Sequence, residues 1–446
     1  MVVLSIVLLS TGTAAYLIPD TDYIANWRTP KFVGTPEFDY IVFVVASFCG
    51  GGLLVEFGFG RIKFIEGNKA LQRLQVPWNA FRLIFYASGG IILLAYVIWL
   101  KLLLSGGLSI HNIAAGLNGE EGASYAIRTE GETLPGVTTL VQMEMGFFII
   151  GSILVFKFGF RHSIFRFILP MFVVFVVAYL RSKLWSERLA VMEISIPAII
   201  LCFRLASSEK WPLWQRISAA AAPLAGPPLV FVFFSIAEYS RSWLSYYSES
   251  QNSFLMFSFM RLTGYYVTAL NNGAALVELM HHYSVPFHTL DWFWRFPIIK
   301  ALFPYKAIAN AEPWDDYHEL LTRLANPEFN NPSGVFVVRL DYGYTGGLFA
   351  WCAMGAVAML LYRSFVKGNL PGLLLYPFFF VGLLESPRIL YWPLSRCFPT
   401  WVLLLFVLAL ALFTSQTLRK GPIVREGLIR RPKSMLNPAS RDLTRL

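Results

Sequence analysis

Arginines gathered in two less apolar stretches, residues 238–342 and 385–399, are the residues of this chain best suited to chemistry. A guanidinium group presents a planar fork of N–H donors that matches pairs of phosphate oxygens, and it stays charged when partly removed from water. Phosphate or diphosphate binding is therefore the chemistry they predict, and ion pairing or interfacial snorkelling is the structural alternative. The arginines are Arg241, Arg261, Arg295, Arg323, Arg339, Arg388 and Arg396.

Carboxylates and histidines in the longer stretch supply candidate bases. Asp341 stands two residues after Arg339, and four of the six histidines also fall there. A histidine can accept a proton near neutral pH. His281 and His282 are adjacent, so on a helix they would point in different directions, and no spacing in the chain matches a zinc site. We predict neither a metal nor a cofactor.

Aromatic rings and glycines complete this chemical inventory. Tyr265 is one of many aromatic residues of the stretch, which suit either stacking on sugar C–H faces or an interfacial belt. Gly343 opens a Gly343-x-x-Gly346-Gly347 pattern at the start of an apolar run. Glycines at this spacing allow close backbone approach to another helix or to a phosphate.

The composition identifies the class of protein that must position these residues. The chain is 56% hydrophobic and 14% charged, with a mean hydropathy of +0.55, which lies outside the range of soluble domains. Its continuous apolar runs match helices that cross about 30 Å of hydrocarbon. The net charge of +10 lies largely in short loops and the C-terminal tail, which is typical of topology signals and does not indicate nucleic-acid binding. We predict an all-α polytopic membrane protein.

Hydropathy predicts about ten spans and four regions. The regions are a bundle of seven spans (1–237), a large extracytoplasmic loop (238–342), three further spans (343–414) and a basic cytoplasmic tail (415–446). Within the loop, the apolar stretch 254–280 is interpreted as a helix on the outer surface. The predicted spans are Val2–Ile18, Phe38–Phe59, Leu83–Leu104, Thr139–Phe160, Ile164–Leu180, Leu189–Leu205, Ile217–Ala237, Gly343–Tyr362, Leu370–Leu384 and Thr400–Thr414.

The Lys/Arg bias predicts the orientation. The basic tail and the short basic loops place both termini in the cytoplasm and the large loop outside. One turn breaks this rule, because Arg181, Lys183 and Arg188 fall on the outer side. Either the fifth and sixth spans are misplaced or these cations have a task there.

Motifs at the end of the loop resemble those of a known family. The stretch Arg261-Leu-Thr-Gly-Tyr-Tyr…Asn271-Asn272-Gly273, the pair Arg323…Gly334 and the re-entry Asn331–Gly347 resemble bacterial O-antigen polymerases of the Wzy type. Related O-antigen ligases carry a histidine where Pro332 stands here, so the resemblance favours the polymerase.

The resemblance implies a metal-independent, GT-C-like glycosyltransferase in the bacterial plasma membrane. Its substrate would be an oligosaccharide on undecaprenyl diphosphate, and a flippase or chain-length regulator would be a candidate partner beside membrane lipids. The expected catalytic residues are Arg339, Asp341 and Arg261. The expected substrate-binding residues are Arg241, Arg323, Arg388, Asn271, Tyr265 and Gly343.

Two other readings of the sequence stay open. A transferase using a polyprenyl-monophosphate sugar would need an acidic pair in the first outer loop, where Asp20-Thr-Asp22 stands. A flippase or transporter would need polar residues within spans, and Glu56, Glu144 and Glu193 occur there. No internal repeat supports the transporter.

Overall fold

A computed structural model shows an all-helical chain, with no strand in the part that it describes. The structure describes residues 1–74, 76–118, 136–185, 189–207, 230–236, 238–247, 253–280, 285–309 and 313–420, with isolated positions between them. Within these ranges, it does not describe the side chains of 415–420 or those at a few other positions, such as Arg241.

The described residues form nineteen α-helices, and short π and 3₁₀ turns join some of them. The π segments are Ile164–Ile168 and Tyr239–Tyr247, and the 3₁₀ turns are His288–Leu290 and Ser395–Cys397. The α-helices are α1 Val2–Leu17, α2 Asp20–Trp27, α3 Thr35–Phe59, α4 Gly67–Arg73, α5 Trp78–Ser105, α6 Ile110–Asn118, α7 Val137–Val141, α8 Glu144–Phe158, α9 Phe160–Ser163, α10 Leu169–Leu184, α11 Leu189–Ala206, α12 Phe254–Leu279, α13 Asp291–Arg295, α14 Pro297–Leu302, α15 Tyr305–Ala309, α16 Pro313–Leu324, α17 Gly334–Val366, α18 Leu370–Glu385 and α19 Phe398–Lys420.

The membrane class is confirmed, but the count of ten spans is not. Six described helical stretches are long and apolar enough to cross a membrane, or seven if the bent pair α1–α2 is one span. The six are Thr35–Phe59, Trp78–Ser105, Thr139–Phe158, Phe160–Leu184, Gly334–Val366 and Ser395–Thr414.

Four predicted spans, the first, sixth, seventh and ninth, are not among these six. Helix α1 ends at Leu17 and turns by 101° into α2, where Lys31 Nζ donates to the carbonyl oxygens of Tyr16 (2.6 Å) and Ile18 (2.7 Å). Helix α18 has only 16 residues. Most of the predicted seventh span, 217–237, lies outside the described residues.

Helix α17 begins at Gly334, nine residues before the predicted span start at Gly343. Gly343 itself has φ 70° and ψ −176°, so the helix is kinked there. A side chain is strained in this left-handed region, which explains the glycine. Arg339 and Asp341, which the sequence analysis assigned to the end of the large loop, therefore lie on the first turns of this helix.

Helices α3 and α17 form the most extensive contact in the bundle. Two glycines bring the backbones together: a methyl group at Gly51 would overlap the carbonyl oxygen of Cys352, and one at Gly355 would overlap that of Phe48. Small residues at such positions allow the close packing on which helix association in lipid depends. Within the run Gly50-Gly51-Gly52 of the second predicted span, Gly51 is thus the residue that allows the two helices to pack closely.

Arginines at the predicted cytoplasmic end satisfy helix carbonyls. Arg363 donates to the carbonyl oxygens of Gly60 (2.7 Å) and Phe59 (2.9 Å), at the end of α3. Arg204 donates to those of Phe365 (2.9 Å) and Val366 (2.6 Å), at the end of α17. The last carbonyls of a helix have no partner within it, and a cation there also complements the helix dipole.

Alanine at Gly51 should lower the melting temperature of the detergent-solubilised protein, because the added methyl group forces α3 away from α17. Alanine at the neighbouring Gly50 is the matched control, because a Cβ there meets nothing within 4 Å. That control should keep or gain stability, by up to about 1 kcal/mol of helix propensity. Equal melting temperatures for both variants would contradict the glycine contact.

Candidate functional site

The stretch Asn271-Asn272-Gly273 on α12 holds a short piece of chain that leads into α17, residues 329–334, which we call the docking segment. The Nδ2 of Asn272 donates to the carbonyl oxygens of Phe329 (2.7 Å) and Asn331 (3.0 Å). A methyl group at Gly273 would overlap the carbonyl oxygen of Pro332. The motif thus provides two hydrogen bonds and the room for close approach.

Asn271 performs the same task for another piece of chain. Its Oδ1 accepts from the backbone N–H groups of Phe32 (2.6 Å) and Val33 (3.2 Å), and its Nδ2 donates to the carbonyl oxygen of Pro30 (2.7 Å). Both its polar atoms are committed to backbone in a buried position. The structure therefore places Asn271, a predicted substrate-binding residue, as a structural clamp. Helix α12 also packs against α1 and α17 and buries much of its surface there, whereas the sequence predicted a helix on the outer surface.

The docking segment is held from its other side by the loop that follows α18. The backbone N–H of Ser333 donates to the carbonyl oxygen of Arg388 (2.9 Å), and that of Gly334 to Ser386 (2.9 Å). Ser333 has φ 58°, a conformation that costs about 1–3 kcal/mol for a residue other than glycine. Its Oγ accepts from the N–H of Val335 at 3.2 Å and caps α17. Strain at such a position persists only where surrounding contacts over-determine it.

Asp341 is buried and fully engaged with a neighbouring loop. Its Oδ1 accepts from the N–H groups of Phe287 and His288 (3.2 Å each), and its Oδ2 accepts from Thr289 N (2.6 Å) and Oγ1 (2.7 Å). A carboxylate has about four lone-pair sites, and all four are occupied. Asp341 therefore positions the 3₁₀ turn His288–Leu290 and has no lone pair left for a substrate proton.

Two polar side chains that interact with the charge of Asp341 are neutral at pH 7. Burial lowers the pKa of His288, with Asp341 opposing that shift and Arg295 adding to it, so the imidazole is neutral at pH 7. Burial, together with the charge of Asp341, raises the pKa of Tyr305 to about 12. The Tyr305 hydroxyl donates to the carbonyl oxygen of Val285. The loop after α12 is thus anchored at both Asp341 and Tyr305.

Arg339 faces a different part of the molecule from Asp341. Residues two apart on an α-helix point about 200° apart around the axis. The guanidinium carbon of Arg339 lies 5.0 Å from the ring centroid of Tyr40 on α3 and 5.3 Å from that of Tyr344. Both distances are typical of cation–π contacts. Arg339 and Asp341, which are two residues apart in the sequence, therefore contact different parts of the molecule.

Arg261, in contrast, forms ion pairs with two carboxylates. Its Nε lies 2.6 Å from the buried Glu238 carboxylate, and its Nη1 lies 2.7 Å from Glu328, whose side chain is 43% exposed. Tyr265, one turn further along α12, packs its ring on Phe329 (centroids 4.9 Å apart) and not against a described cleft. One arginine between two carboxylates leaves an excess negative charge, which weakens its predicted role in binding diphosphate.

The other predicted arginines differ in their surroundings. Arg388 lies 3.2 Å from Glu385, Arg295 lies 2.7 Å from Asp291 and Arg396 lies 2.8 Å from Glu193. Arg323 is exposed near the end of α16. The side chain of Arg241 lies outside the described residues.

Among the arginines of this region whose side chains the structure describes, Arg339 is the partly buried one without a carboxylate partner, whereas Arg323 is exposed to solvent. Arg261, Arg295, Arg388 and Arg396 each form an ion pair with a carboxylate. Arg339 forms none with any residue that the structure describes, and its Nη1 is buried without a hydrogen-bond partner among them. The hydroxyl of Tyr40 is in the same condition. A methyl group at Gly347 would overlap that hydroxyl, which explains a glycine at this point of the motif.

A second polar cluster lies among the spans, and sequence reasoning did not assemble it. Glu144 on α8 accepts a hydrogen bond from Tyr96 on α5 and is electrostatically coupled to Arg181 and Glu193. All four side chains are buried. Two features of the sequence pointed to this cluster. Carboxylates occur within predicted spans, and Arg181 falls on the outer side of the membrane, where the Lys/Arg bias predicts few cations.

In the part of the chain that the structure describes, no group of three or more His, Cys, Asp or Glu side chains is arranged to hold a metal ion. The arrangement around Arg339 can bind an anion through one guanidinium and one phenol hydroxyl. It offers no carboxylate of its own to act as a base.

Asparagine at Asp341 should open the loop 287–290. The amide keeps one acceptor oxygen and turns an N–H₂ group toward donors, so charged hydrogen bonds worth about 1.5–3 kcal/mol each are lost. Hydrogen exchange at the Thr289 amide should accelerate by at least about tenfold. Glutamine at the exposed Glu319 is the control. Unchanged exchange in the Asp341 variant would show that the carboxylate does not hold the loop.

Comparison with known proteins adds no relative to this description. No family model matches the chain, and no curated protein or solved structure matches it either.

Proposed function

We propose that this chain is a membrane glycosyltransferase that polymerises oligosaccharide repeat units carried on a lipid diphosphate. In this proposal the ten-span topology puts the large loop on the outer face of a bacterial plasma membrane. The observation that carries the proposal is Arg339, a half-buried guanidinium between two tyrosine rings, without a carboxylate partner in the described chain.

The surroundings of Arg339 suit the charge that develops in such a reaction. The acceptor hydroxyl of one unit attacks the anomeric carbon of the growing chain, and the bond from that carbon to the diphosphate oxygen breaks. The hydroxyl proton passes to a base, and the lipid diphosphate departs with the negative charge. A preorganised cation and hydroxyl aimed at the leaving oxygens stabilise this charge without a metal ion.

Burial strengthens the interaction of Arg339 with an anion. Tyr40 is fully buried, and its hydroxyl has no hydrogen-bond partner among the described residues. An unsatisfied buried donor costs about 1–3 kcal/mol, and a phosphate oxygen would satisfy it. The free donor of Tyr40 and that of Arg339 are thus two groups that gain from the same ligand.

Asp341 has a positioning role in this proposal. Its four hydrogen bonds fix residues 287–289 beside the first turns of α17. Arg388 acts in the same indirect way, because its carbonyl oxygen holds Ser333 at the start of that helix. Both would set where Arg339 stands and would not bind the diphosphate themselves.

One observation keeps the monophosphate-sugar transferase as a second candidate. A cavity of about 350 Å³ is lined by Tyr16, Asp20 and the segment 31–35. The Oδ1 of Asp20 accepts from the backbone N–H of Lys31 at 2.9 Å, and Asp22 is exposed. Asp20 thus retains acceptor capacity toward the cavity.

Alanine at Arg339 should lower the polymerisation rate by about 10²–10³ in an assay with purified protein and polyprenyl-diphosphate oligosaccharide, because one charge-stabilising donor is lost. Lysine should retain part of the rate, since it keeps the charge without the fork. Alanine at Arg73, exposed on α4, is the matched control. Full activity of a well-folded Arg339→Ala protein would exclude this role.

Phenylalanine at Tyr40 separates anion binding from ring packing. The variant keeps the ring against Arg339 and removes only the buried hydroxyl, so we expect a lower rate with an unchanged or higher melting temperature. A deletion strain then tests the reaction class. Single repeat units without polymer support the polymerase, whereas a sugar missing from within the unit supports the monophosphate-donor enzyme and should be reproduced by Asp20→Asn.

A further inference from the structure

Residues 297–309, which we call the apolar shelf, expose large hydrophobic side chains outside every candidate span. No residue of α14 is buried. Ile298, Leu302, Phe303 and Ile308 are 59%, 65%, 55% and 49% exposed. Several exposed large apolar side chains so close together in the sequence, outside the spans, indicate a surface that something covers.

The shelf is fixed at the end of a membrane span. The ring of Trp292 stacks on that of Phe398, the first residue of α19, with centroids 5.5 Å apart. The N–H of Trp292 donates to the carbonyl oxygen of Pro393 (2.9 Å), and that of Ser395 to Asp291 Oδ2 (3.1 Å). The span Ser395–Thr414 begins at this point, so the helix that leads into the shelf lies level with the end of the span.

The shelf is also anchored from its other end. Tyr305 is buried, and its ring packs against those of Phe287 (4.9 Å) and Trp294 (5.0 Å). The exposed residues therefore flank an ordered anchor, and their exposure does not result from a chain end that hangs free.

The charge of the shelf identifies its partner. Its two charged residues, Lys300 and Lys306, are both exposed and basic, and it contains no acidic residue. An apolar face with lysines at its edge is the pattern of helices that lie in the headgroup region, where cations are attracted to the anionic surface. A neighbouring protein surface would not require the shelf to lie level with the end of a span.

We propose that the apolar shelf inserts into the lipid leaflet adjoining the large loop, with Lys300 and Lys306 at the phosphate groups of anionic lipid. Leu302 and Phe303 lie in the acyl region. This membrane contact does not depend on the proposed enzymatic function, and it would hold for a transporter with the same fold.

Nitroxide labels measure the depth directly in the full-length protein reconstituted in phosphatidylglycerol nanodiscs. With the four cysteines replaced by serine, Leu302→Cys should carry a label that collides with oxygen and is shielded from a water-soluble nickel chelate. A label at Glu319→Cys on α16 should show the reverse. Equal access of the chelate to both labels would overturn the proposal, as would a Leu302 label shielded from both reagents.

A photo-crosslinker keeps the test valid if the cysteine-free protein does not fold. Benzoylphenylalanine in place of Phe303, in a chain that retains its cysteines, should give a lipid adduct by mass spectrometry. A crosslinked dimer would assign the shelf to a second copy of the chain and overturn the proposal, and so would the absence of any adduct.

In phosphatidylcholine nanodiscs, the nickel chelate should reach the nitroxide label at Leu302→Cys several-fold more readily, because the lysines lose their anionic partners.

Discussion

The hydrogen bonds that hold the docking segment from both sides determine the positions of the other candidate residues. Asn272 binds its carbonyl oxygens from α12, and the carbonyl oxygens after α18 bind its N–H groups. Together they support the strained backbone of Ser333, where α17 begins. Because an α-helix has a fixed rotation per residue, the position of this first turn decides where the side chains of Arg339 and Asp341 point.

The sequence was sufficient to predict the membrane class and to single out Asn271-Asn272-Gly273 as a motif, but it did not predict what this motif binds. Amide groups on an apolar helix are costly in lipid unless they bind something. A substrate sugar and the backbone of a distant segment satisfy them equally well. Asn271 binds chain almost 240 residues away in sequence, and a spacing pattern contains no information about such a partner.

Neither the number of spans nor the geometry of the site could be predicted from sequence patterns, because both depend on contacts that such patterns do not reveal. A hydropathy window detects apolar length, but it does not detect a 101° bend stabilised by Lys31 or a helix that starts at Gly334. Arg339 and Asp341 were both predicted to be catalytic, but the helical turn points their side chains in different directions. Arg261 was predicted to bind diphosphate, and its pairing with Glu328, 67 residues further on, could not be recognised from the sequence.

The exception to the positive-inside pattern has a comparable cause. Arg181 is buried beside Glu144 and Glu193, and Arg396 from a loop pairs with Glu193 at 2.8 Å. Charges inside a membrane are retained where they are paired, and a charge count along the sequence does not distinguish a paired arginine from a topology signal. The same cluster ties the loop that carries Arg388 to the spans.

The loop geometry gives the proposed membrane contact a route to the proposed site. The apolar shelf is joined through Tyr305 to Val285 and Phe287, and the N–H of Phe287 is bound by Asp341 on α17. These contacts are buried and directional, so a change in shelf depth would be transmitted to the first turns of α17 and not absorbed by a flexible link. In the proposed function, the lipid-linked substrate would approach from the same leaflet. An enzyme of the proposed kind would therefore use one surface both to set the height of its anion site and to meet the lipid that carries its substrate.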